Sequence, residues 1–319
     1  MATKLAALIV LAAFLAGPAA SEGASICFNG WLRLPTYDPV LCRPAPDVQT
    51  RQRRPAPSGS GLTSGYYNTR CPSAEKIVTD AVKKAVDANP GIEGPPNQNS
   101  LRGFEVIDEA KAAIEATCPD TVSCADIVAY AARDASYFLS DRKINIQMPG
   151  GRYDGRESFS NETDQLPGPF SNLTALQGSF AAKGLTSDDM VTLSGAHTIG
   201  RARCSFFSTR FSEMEPTLAA KLRAQCSNDN NNVNQDDVTP DVLDKQYYQN
   251  VVDKKVMFTS DAVLNSTETI TQVTENANMA GAWERKFEKA METMGKIGVK
   301  TIGNQQGAEI RKVCWRVNN

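Results

Sequence analysis

Histidine is nearly absent from this 319-residue chain and occurs once, at His197. A zinc site that uses two histidines is therefore excluded, as is a site with an imidazole on each face of a metal. The sequence contains no internal apolar run long enough to span a bilayer, no C-x-x-C metal pair and no short repeat typical of a solenoid. The net charge is −2, from 34 basic and 36 acidic residues, which disfavours nucleic-acid binding through overall positive charge.

The N-terminus has the pattern of an export signal. Lys4 supplies a positive charge, an apolar stretch runs from Leu5 to Leu15, and small residues follow it. We predict a cleaved signal peptide over residues 1–20, because the apolar stretch is short and lacks a stop-transfer flank. The protein is then secreted to the extracellular space, with no membrane span.

Cysteines and glycosylation sequons fit the same route. An even number of cysteines in a secreted chain indicates disulfides, although spacing alone leaves their connectivity open. The eight cysteines are Cys27, Cys42, Cys71, Cys118, Cys124, Cys204, Cys226 and Cys314. N-x-S/T sequons, which predict a glycoprotein, occur at Asn161, Asn172 and Asn265.

Residues 21–61 differ in composition from the rest of the chain. They are rich in proline and arginine and end in Ser-Gly-Ser-Gly, which predicts a flexible or extended arm. The favoured interpretation is a solvated tail or propeptide, and binding to acidic cell-wall polymer is the alternative. Cys27 and Cys42 lie in this arm, and their pairing stays open.

The remainder, residues 62–319, is predicted to be one mainly α-helical domain. Apolar residues spaced by three and four predict a helix that Ser73 can cap, and Ser123 with Asp126 has the pattern of a capping box. Further helices are predicted over 103–116, 174–183 and 187–193, and over a late segment marked by Trp283, Phe287, Met291 and Met294. Ile144 to Met148 is a short β-like stretch. The fold class is therefore all-α with minor β content.

The lone histidine follows a predicted helix and lies among small residues, where a flat cofactor could approach it. On spacing alone, a structural or surface role is more frequent for such a histidine than a ligand role. However, the segment LSGAHTIGRARC at 193–204 resembles the proximal heme segment of plant secretory (class III) heme peroxidases. The resemblance covers about 62–317 and includes YYNTRCPSAEKIV at 66–78, the stretch from NSLRGFEVID to AYAARD at 99–134, LPGPF at 166–170, DDVTPDVLDKQYY at 236–248, FTSDAVL at 258–264 and EIRKVC at 309–314.

The resemblance implies a two-lobed helical fold and a heme b cofactor. His197 would be the axial ligand of the heme iron, and Asp261 would accept the other imidazole N–H, which strengthens electron donation by the ligand. Pro167 matches the proline beside the channel for reducing substrates. The substrates implied are hydrogen peroxide and small phenolic donors, and the protein is expected to be a monomer.

The same resemblance implies a calcium site and three disulfides. Oxygen ligands of the kind that calcium prefers would come from the side chains of Thr198, Asp236, Thr239 and Asp244 and from the backbone carbonyl of Val242. The bridges would be Cys71–Cys118, Cys124–Cys314 and Cys204–Cys226. Gln235 departs from the family pattern, which commonly has an apolar residue there.

One family segment is missing from this chain. The helix and loop with the distal histidine, the distal arginine, the distal calcium ligands and a fourth disulfide would lie between the first helix and SLRGFEVID. Here Asn89-Pro90-Gly91-Ile92 runs directly into Glu93-Gly94-Pro95, so the domain is internally truncated near 92–94. A skipped exon, a gene-model error and a real loss all stay open. We predict an impaired peroxidase without a distal calcium site, and the alternative is a non-catalytic secreted relative that binds calcium or the cell wall.

Overall fold

The computed structural model describes residues 61–88, 103–157 and 166–319. The predicted signal peptide, nearly all of the arm, Cys27, Cys42, Asn161 and the join near 92–94 lie outside the described residues. No helix in the described ranges is both long and apolar enough to cross a membrane.

Helices dominate the described parts of the chain, which confirms the all-α prediction. The α-helices are α1 (Ala74–Asp87), α2 (Phe104–Thr117), α3 (Cys124–Leu139), α4 (Leu173–Ala182), α5 (Ser187–Ser194), α6 (Pro216–Gln225), α7 (Gln246–Val252), α8 (Thr259–Ala262), α9 (Ile270–Asn278) and α10 (Ala282–Met294). The strands are β1 (Asp154–Gly155), β2 (Arg201–Arg203), β3 (Asn232–Asn234) and β4 (Ala308–Glu309). β1 pairs antiparallel with β4, and β2 with β3.

The first three helices form one packed layer. α1 buries Val78 and Val82 on one face, as their spacing of four predicts, and packs against both α2 and α3. α3 starts where predicted, because the Ser123 side chain accepts a hydrogen bond from the Asp126 N–H at 3.1 Å. Small buried residues on α3, such as Ala131 and Ala132, let the helices approach closely.

The late helix supports the segment that carries His197. α10 buries Trp283, Phe287 and Met291, which recur every fourth residue, and it packs against α5. The Trp283 Nε1–H donates to the Thr192 carbonyl on α5 at 3.1 Å. The position of α5 is therefore held by an aromatic side chain about 90 residues further along the chain.

The prediction of β structure at Ile144 to Met148 was wrong, because these residues form no strand. Ile144, Ile146 and Met148 are buried and alternate with exposed residues, as the period of two predicts. However, the stretch forms no ladder with another described strand, and the Asn145 N–H donates to the Glu288 carboxylate instead. Alternating burial fixes the extended shape, but a strand also needs a neighbouring backbone to pair with.

The structure contains all three disulfides that the resemblance implied. Cys71 pairs with Cys118, Cys124 with Cys314, and Cys204 with Cys226. The Cys124–Cys314 bridge joins the start of α3 to the C-terminal segment. Buried Asp154 strengthens the same junction, because its carboxylate accepts hydrogen bonds from the backbone N–H groups at Cys124, Ala125 and Arg311.

Candidate functional site

The helix α5 leads directly to the lone histidine. Thr186 and Asp189 form a reciprocal capping box at its start, and its end continues into a 3₁₀ turn over Gly195–Thr198 that contains His197. A Cβ on Gly195 would lie 2.6 Å from both Trp283 Nε1 and Tyr248 Oη. Core packing behind the histidine therefore requires a glycine at this position. The sequence had suggested a different reason for the small residues, namely that they let a flat cofactor approach the histidine.

Asp261 holds one nitrogen of the imidazole ring. The His197 Nδ1 lies 2.8 Å from Asp261 Oδ1. Asp261 is on the short helix α8 and is buried, whereas 38% of the His197 side-chain surface is exposed. Because the carboxylate accepts, the proton of the neutral ring is placed on Nδ1 and the lone pair on Nε2. Among the described residues, Nε2 makes no hydrogen bond, so a ligand atom remains available.

Two opposing effects act on the pKa of His197. Burial lowers it, but the charge of Asp261 and the hydrogen bond to that carboxylate raise it by more, so the net pKa is above the usual value for histidine. The same interaction that favours the imidazolium makes a neutral ring a stronger electron donor through Nε2.

Tyr247 on α7 also contacts Asp261. Its hydroxyl donates to Asp261 Oδ1 at 2.8 Å, the same oxygen that accepts from His197. Burial, and then the charge of Asp261, raise the pKa of Tyr247 well above its usual value, so the phenol stays protonated as a donor. Tyr247 was not predicted as a site residue, although it lies in the segment DDVTPDVLDKQYY. A tyrosine on an apolar helix face gives no local signal that separates core packing from contact with a buried carboxylate.

Four oxygen-bearing side chains converge beside the 3₁₀ turn. The Thr198 hydroxyl donates to Asp236 Oδ2 and Asp244 Oδ1, each at 3.2 Å, and the Thr239 hydroxyl lies 3.2 Å from the same two atoms. Val242 adjoins them, since its N–H donates to the Thr239 carbonyl at 3.1 Å. This arrangement brings together two carboxylates and two hydroxyls, the hard oxygen ligands that suit calcium.

The electrostatics of this oxygen cluster favour a cation. Burial first, and the nearby charge of Asp236 as a smaller cause, raise the pKa of Asp244. No group of three or more histidine, cysteine or acidic side chains with metal-binding geometry occurs within the described ranges. A metal at this cluster would therefore need hydroxyl and carbonyl oxygens besides its two carboxylates.

An aromatic surface lies near the loop that contains Pro167. The half-exposed Pro167 precedes Pro169, whose carbonyl accepts from the N–H of Ser260, the neighbour of Asp261, at 3.1 Å. Phe170, at the end of this loop, is 58% exposed, and Phe206 is 40% exposed. Their ring centroids are 6.3 Å apart. This pair was not predicted from the sequence, because packing and not local pattern decides whether a phenylalanine is exposed.

Gln235 lies between the oxygen cluster and a surface cavity. Its N–H donates to the Gly200 carbonyl at 3.0 Å, which continues the β2–β3 pairing. The cavity has a volume of about 420 Å³, and Lys221, Asn250 and Met257 also line it. A polar side chain is thus accommodated where the resemblance leads one to expect an apolar residue.

A helical domain that holds one imidazole through a buried carboxylate, and leaves the second ring nitrogen without a hydrogen bond among the described residues, has an atom with which it could bind a metal cofactor. The sequence model of the peroxidase family matches residues 80–279. The chain belongs to the peroxidase family, and its relatives are plant class III peroxidases.

Three relatives illustrate the similarity. Peroxidase 2 of Zea mays is 45% identical, with 81% of this chain and 90% of the relative covered. Peroxidase 5 of Vitis vinifera is 39% identical, with 81% and 92% covered. The lignin-forming anionic peroxidase of Nicotiana sylvestris is 37% identical, with 81% and 91% covered.

The alignment with the maize relative contains positions at which this chain has no residue. It extends over 305 positions, whereas 81% of 319 residues is about 258 residues. About 47 alignment positions are therefore occupied by the relative alone.

Proposed function

We propose that this protein is a secreted heme peroxidase by descent that oxidises small phenolic donors with hydrogen peroxide, and that its activity is weakened or lost because the distal segment is not encoded. The observation that carries the proposal is the 2.8 Å contact between His197 Nδ1 and the buried Asp261, in a chain with no second histidine. Membership of the peroxidase family supports a heme peroxidase function in general.

The donor set at His197 fits a heme. Nε2 carries a lone pair, the ring is accessible, and Phe258 packs edge-on against it at 5.7 Å between centroids. When bound, heme would supply the iron at which peroxide is reduced. His197 would bind the iron, while Asp261 would keep the proton on Nδ1 and fix the ring orientation. The loop with Pro167 and the exposed rings of Phe170 and Phe206 would offer an apolar surface to aromatic donors.

The expected weakness follows from the missing distal groups. Positioned proton transfer typically contributes about 10²–10⁴ in rate. A positioned donor for developing negative charge contributes about 10²–10³ more. His197 is committed to the proximal side by Asp261, and no other histidine exists to replace the distal base. The roughly 47 alignment positions that only the relative occupies support a loss of sequence from this chain. A transcript read across codons 88–97 would decide whether this chain exists as written.

The proposal includes one calcium ion per chain. Asp236 and Asp244 would supply charge, Thr198 and Thr239 hydroxyl oxygen, and Val242 its carbonyl. The contacts at 3.2 Å among the first four side chains support this assignment. The distal calcium site would be absent, since its loop is not encoded.

The domain plan is part of the proposal: a signal peptide over 1–20, a Pro/Arg-rich arm over 21–61 and the peroxidase domain over 62–319. The domain is expected to be a monomer. Asn172 and Asn265 are both exposed, but glycosylation is better supported at Asn172, because the Asn265 Nδ2 donates to the Val251 carbonyl at 3.3 Å. Asn172 caps α4 through Oδ1, which accepts from the Ala175 N–H at 2.9 Å, so its Nδ2 is not used by the cap.

The experiment compares the secreted wild-type protein with His197→Ala and Asp261→Asn. We expect a Soret band from one heme per wild-type chain, its loss in H197A and an altered band in D261N. Turnover of a phenolic dye by the wild type should be far below that of an intact relative assayed in parallel. Turnover equal to that of the relative would contradict the impairment.

A wild-type protein without a Soret band would favour the second candidate function, a non-catalytic secreted relative. The oxygen cluster is the observation that favours this second function. The cluster does not include the His197 side chain, so it could bind calcium without heme. Calcium binding by a heme-free, folded protein would then distinguish this relative from an unfolded chain, and binding to isolated cell-wall polymer would test its second possible partner.

A further inference from the structure

Asp261 Oδ1 is shared between two donors. The His197 Nδ1–H and the Tyr247 hydroxyl each approach this atom at 2.8 Å. The rings of His197 and Tyr247 also pack edge-on, with centroids 6.3 Å apart. The three side chains come from the 3₁₀ turn, α7 and α8, and all of them lie in the described part of the chain.

Two donors on one carboxylate oxygen compete for its charge. A hydrogen bond from a phenol stabilises the anion, and it thereby weakens the attraction between that oxygen and the imidazole proton. Without the phenol, the carboxylate would draw the Nδ1 proton more strongly and the ring would gain imidazolate character. The electron density at Nε2 depends on this balance, because hydrogen bonding at one ring nitrogen tunes the other as a ligand.

We propose that Tyr247 is a positioning residue that limits the pull of Asp261 on the His197 Nδ1 proton and so sets the donor strength of Nε2. The inference rests on the proposed role of His197 as the axial ligand, but its central effect, on the Nδ1 proton, exists without heme. Tyr247 would not touch the cofactor and would act through its hydrogen bond to Asp261.

The neighbouring tyrosine provides a matched control. Tyr248 is equally buried, but its hydroxyl donates to the carbonyls of Val191 and Thr192 at 3.0 and 2.9 Å and not to Asp261. Tyr247→Phe and Tyr248→Phe each remove one buried hydroxyl. If Tyr247 had only a structural role, the two substitutions should affect the imidazole to a similar extent. If the proposal is correct, only Y247F strengthens the pull of Asp261 on the Nδ1 proton.

The first measurement uses the heme-free protein. Because the chain has one histidine, ¹⁵N-labelled histidine gives one pair of ring resonances, with no assignment problem. At a fixed pH where the ring is neutral in every variant, Y247F should move the Nδ1 proton resonance downfield, by clearly more than any shift that Y248F causes through the end of α5. In the Asp261→Asn background, Y247F should cause no further downfield shift. Equal spectra for Y247F and Y248F, or an upfield shift in Y247F, would overturn the proposal.

The second measurement applies to the heme-loaded protein. Y247F should raise the iron–histidine stretching frequency of the ferrous form and make the ferric/ferrous potential more negative, with Y248F near the wild type in both. A downfield shift in the heme-free protein together with no heme binding would refute the proposed function and leave the role of Tyr247 intact. Heme binding with no difference between the two variants in either measurement would refute the role of Tyr247 alone.

Discussion

Two buried aspartates in this protein have similar surroundings and different roles. Asp126 on α3 accepts a tyrosine hydroxyl, from Tyr67 at 2.7 Å, just as Asp261 accepts one from Tyr247 at 2.8 Å. Asp126 also pairs with Arg152, whose Nη1 lies 2.7 Å from Asp126 Oδ1, and it accepts from the backbone N–H groups of Gly151 and Arg152.

The partners of the two aspartates explain the difference. The Arg152 side chain is 5% exposed, and its remaining N–H groups donate to the carbonyls of Pro149 and Gly295 and to the Met148 sulfur. The partner of Asp261 is an imidazole that keeps 38% of its surface accessible and one nitrogen without a hydrogen bond among the described residues. The Asp126 pair is thus closed by its own hydrogen bonds, whereas the Asp261 pair keeps one ring nitrogen that is available for the ligand role proposed above.

The largest effect on stability is expected from breaking the saturated pair. Arg152→Met leaves Asp126 buried without its cation, and the loss of one partner of a buried ion pair typically costs about 3–5 kcal/mol. H197A should lower the free energy of unfolding by much less, because the histidine is partly exposed. Denaturant unfolding of the heme-free proteins measures both changes. Equal losses would show that the two aspartates do not differ in structural importance.

Each region also has a disulfide, and the two bridges should differ in strength. Cys124–Cys314, beside Asp126, closes a loop of sequence separation 190, whereas Cys204–Cys226, after the His197 turn, has a separation of 22. Because loop-closure entropy grows with loop length, replacing the first pair by serine should cost roughly 2 kcal/mol more than replacing the second. Thermal unfolding of the two double variants tests the order, and the reverse order would refute it.

Calcium is expected to stabilise the His197 region and not the Asp126 region. An ion present at a hundred times its Kd would add about 2.7 kcal/mol to the free energy of unfolding, so a chelator should lower Tm. Asp244→Asn should abolish this response. Asp237→Asn is the control, because Asp237 is exposed and pairs with Lys221 outside the cluster. Metal analysis should find one calcium per chain, and two tightly bound ions would contradict the absence of the distal site.

The smallest effects are expected at the helix caps. Ser123 caps α3, which carries Asp126, and Thr186 caps α5, which leads to His197. Replacing either by alanine should cost about 1 kcal/mol. Only Thr186→Ala should also shift the ring resonances of the lone histidine, since the end of α5 positions it. A shift of the same size in Ser123→Ala would show that the two regions are coupled.

The local sequence pattern predicted secondary-structure elements better than it predicted the contacts between distant segments. The capping residue Ser123 and the apolar period of α1 placed two helices correctly, because both signals act within a few residues. The β-like stretch at Ile144 to Met148 failed, since pairing depends on a distant strand that the local pattern does not specify. The bridges were implied only by family resemblance, because spacing leaves the pairing of cysteines open.

The sequence by itself determined that the protein is mainly helical and that only one imidazole exists to bind a metal. The spacing of apolar residues and the count of histidines suffice for these conclusions. Only the tertiary structure decided that Asp261, 64 residues after His197, shares one oxygen with the imidazole and a phenol. It also decided that Tyr247 faces Asp261 while its neighbour Tyr248 faces α5. The physical reason is that adjacent helix positions point in different directions, and what each side chain meets depends on how distant segments pack around it.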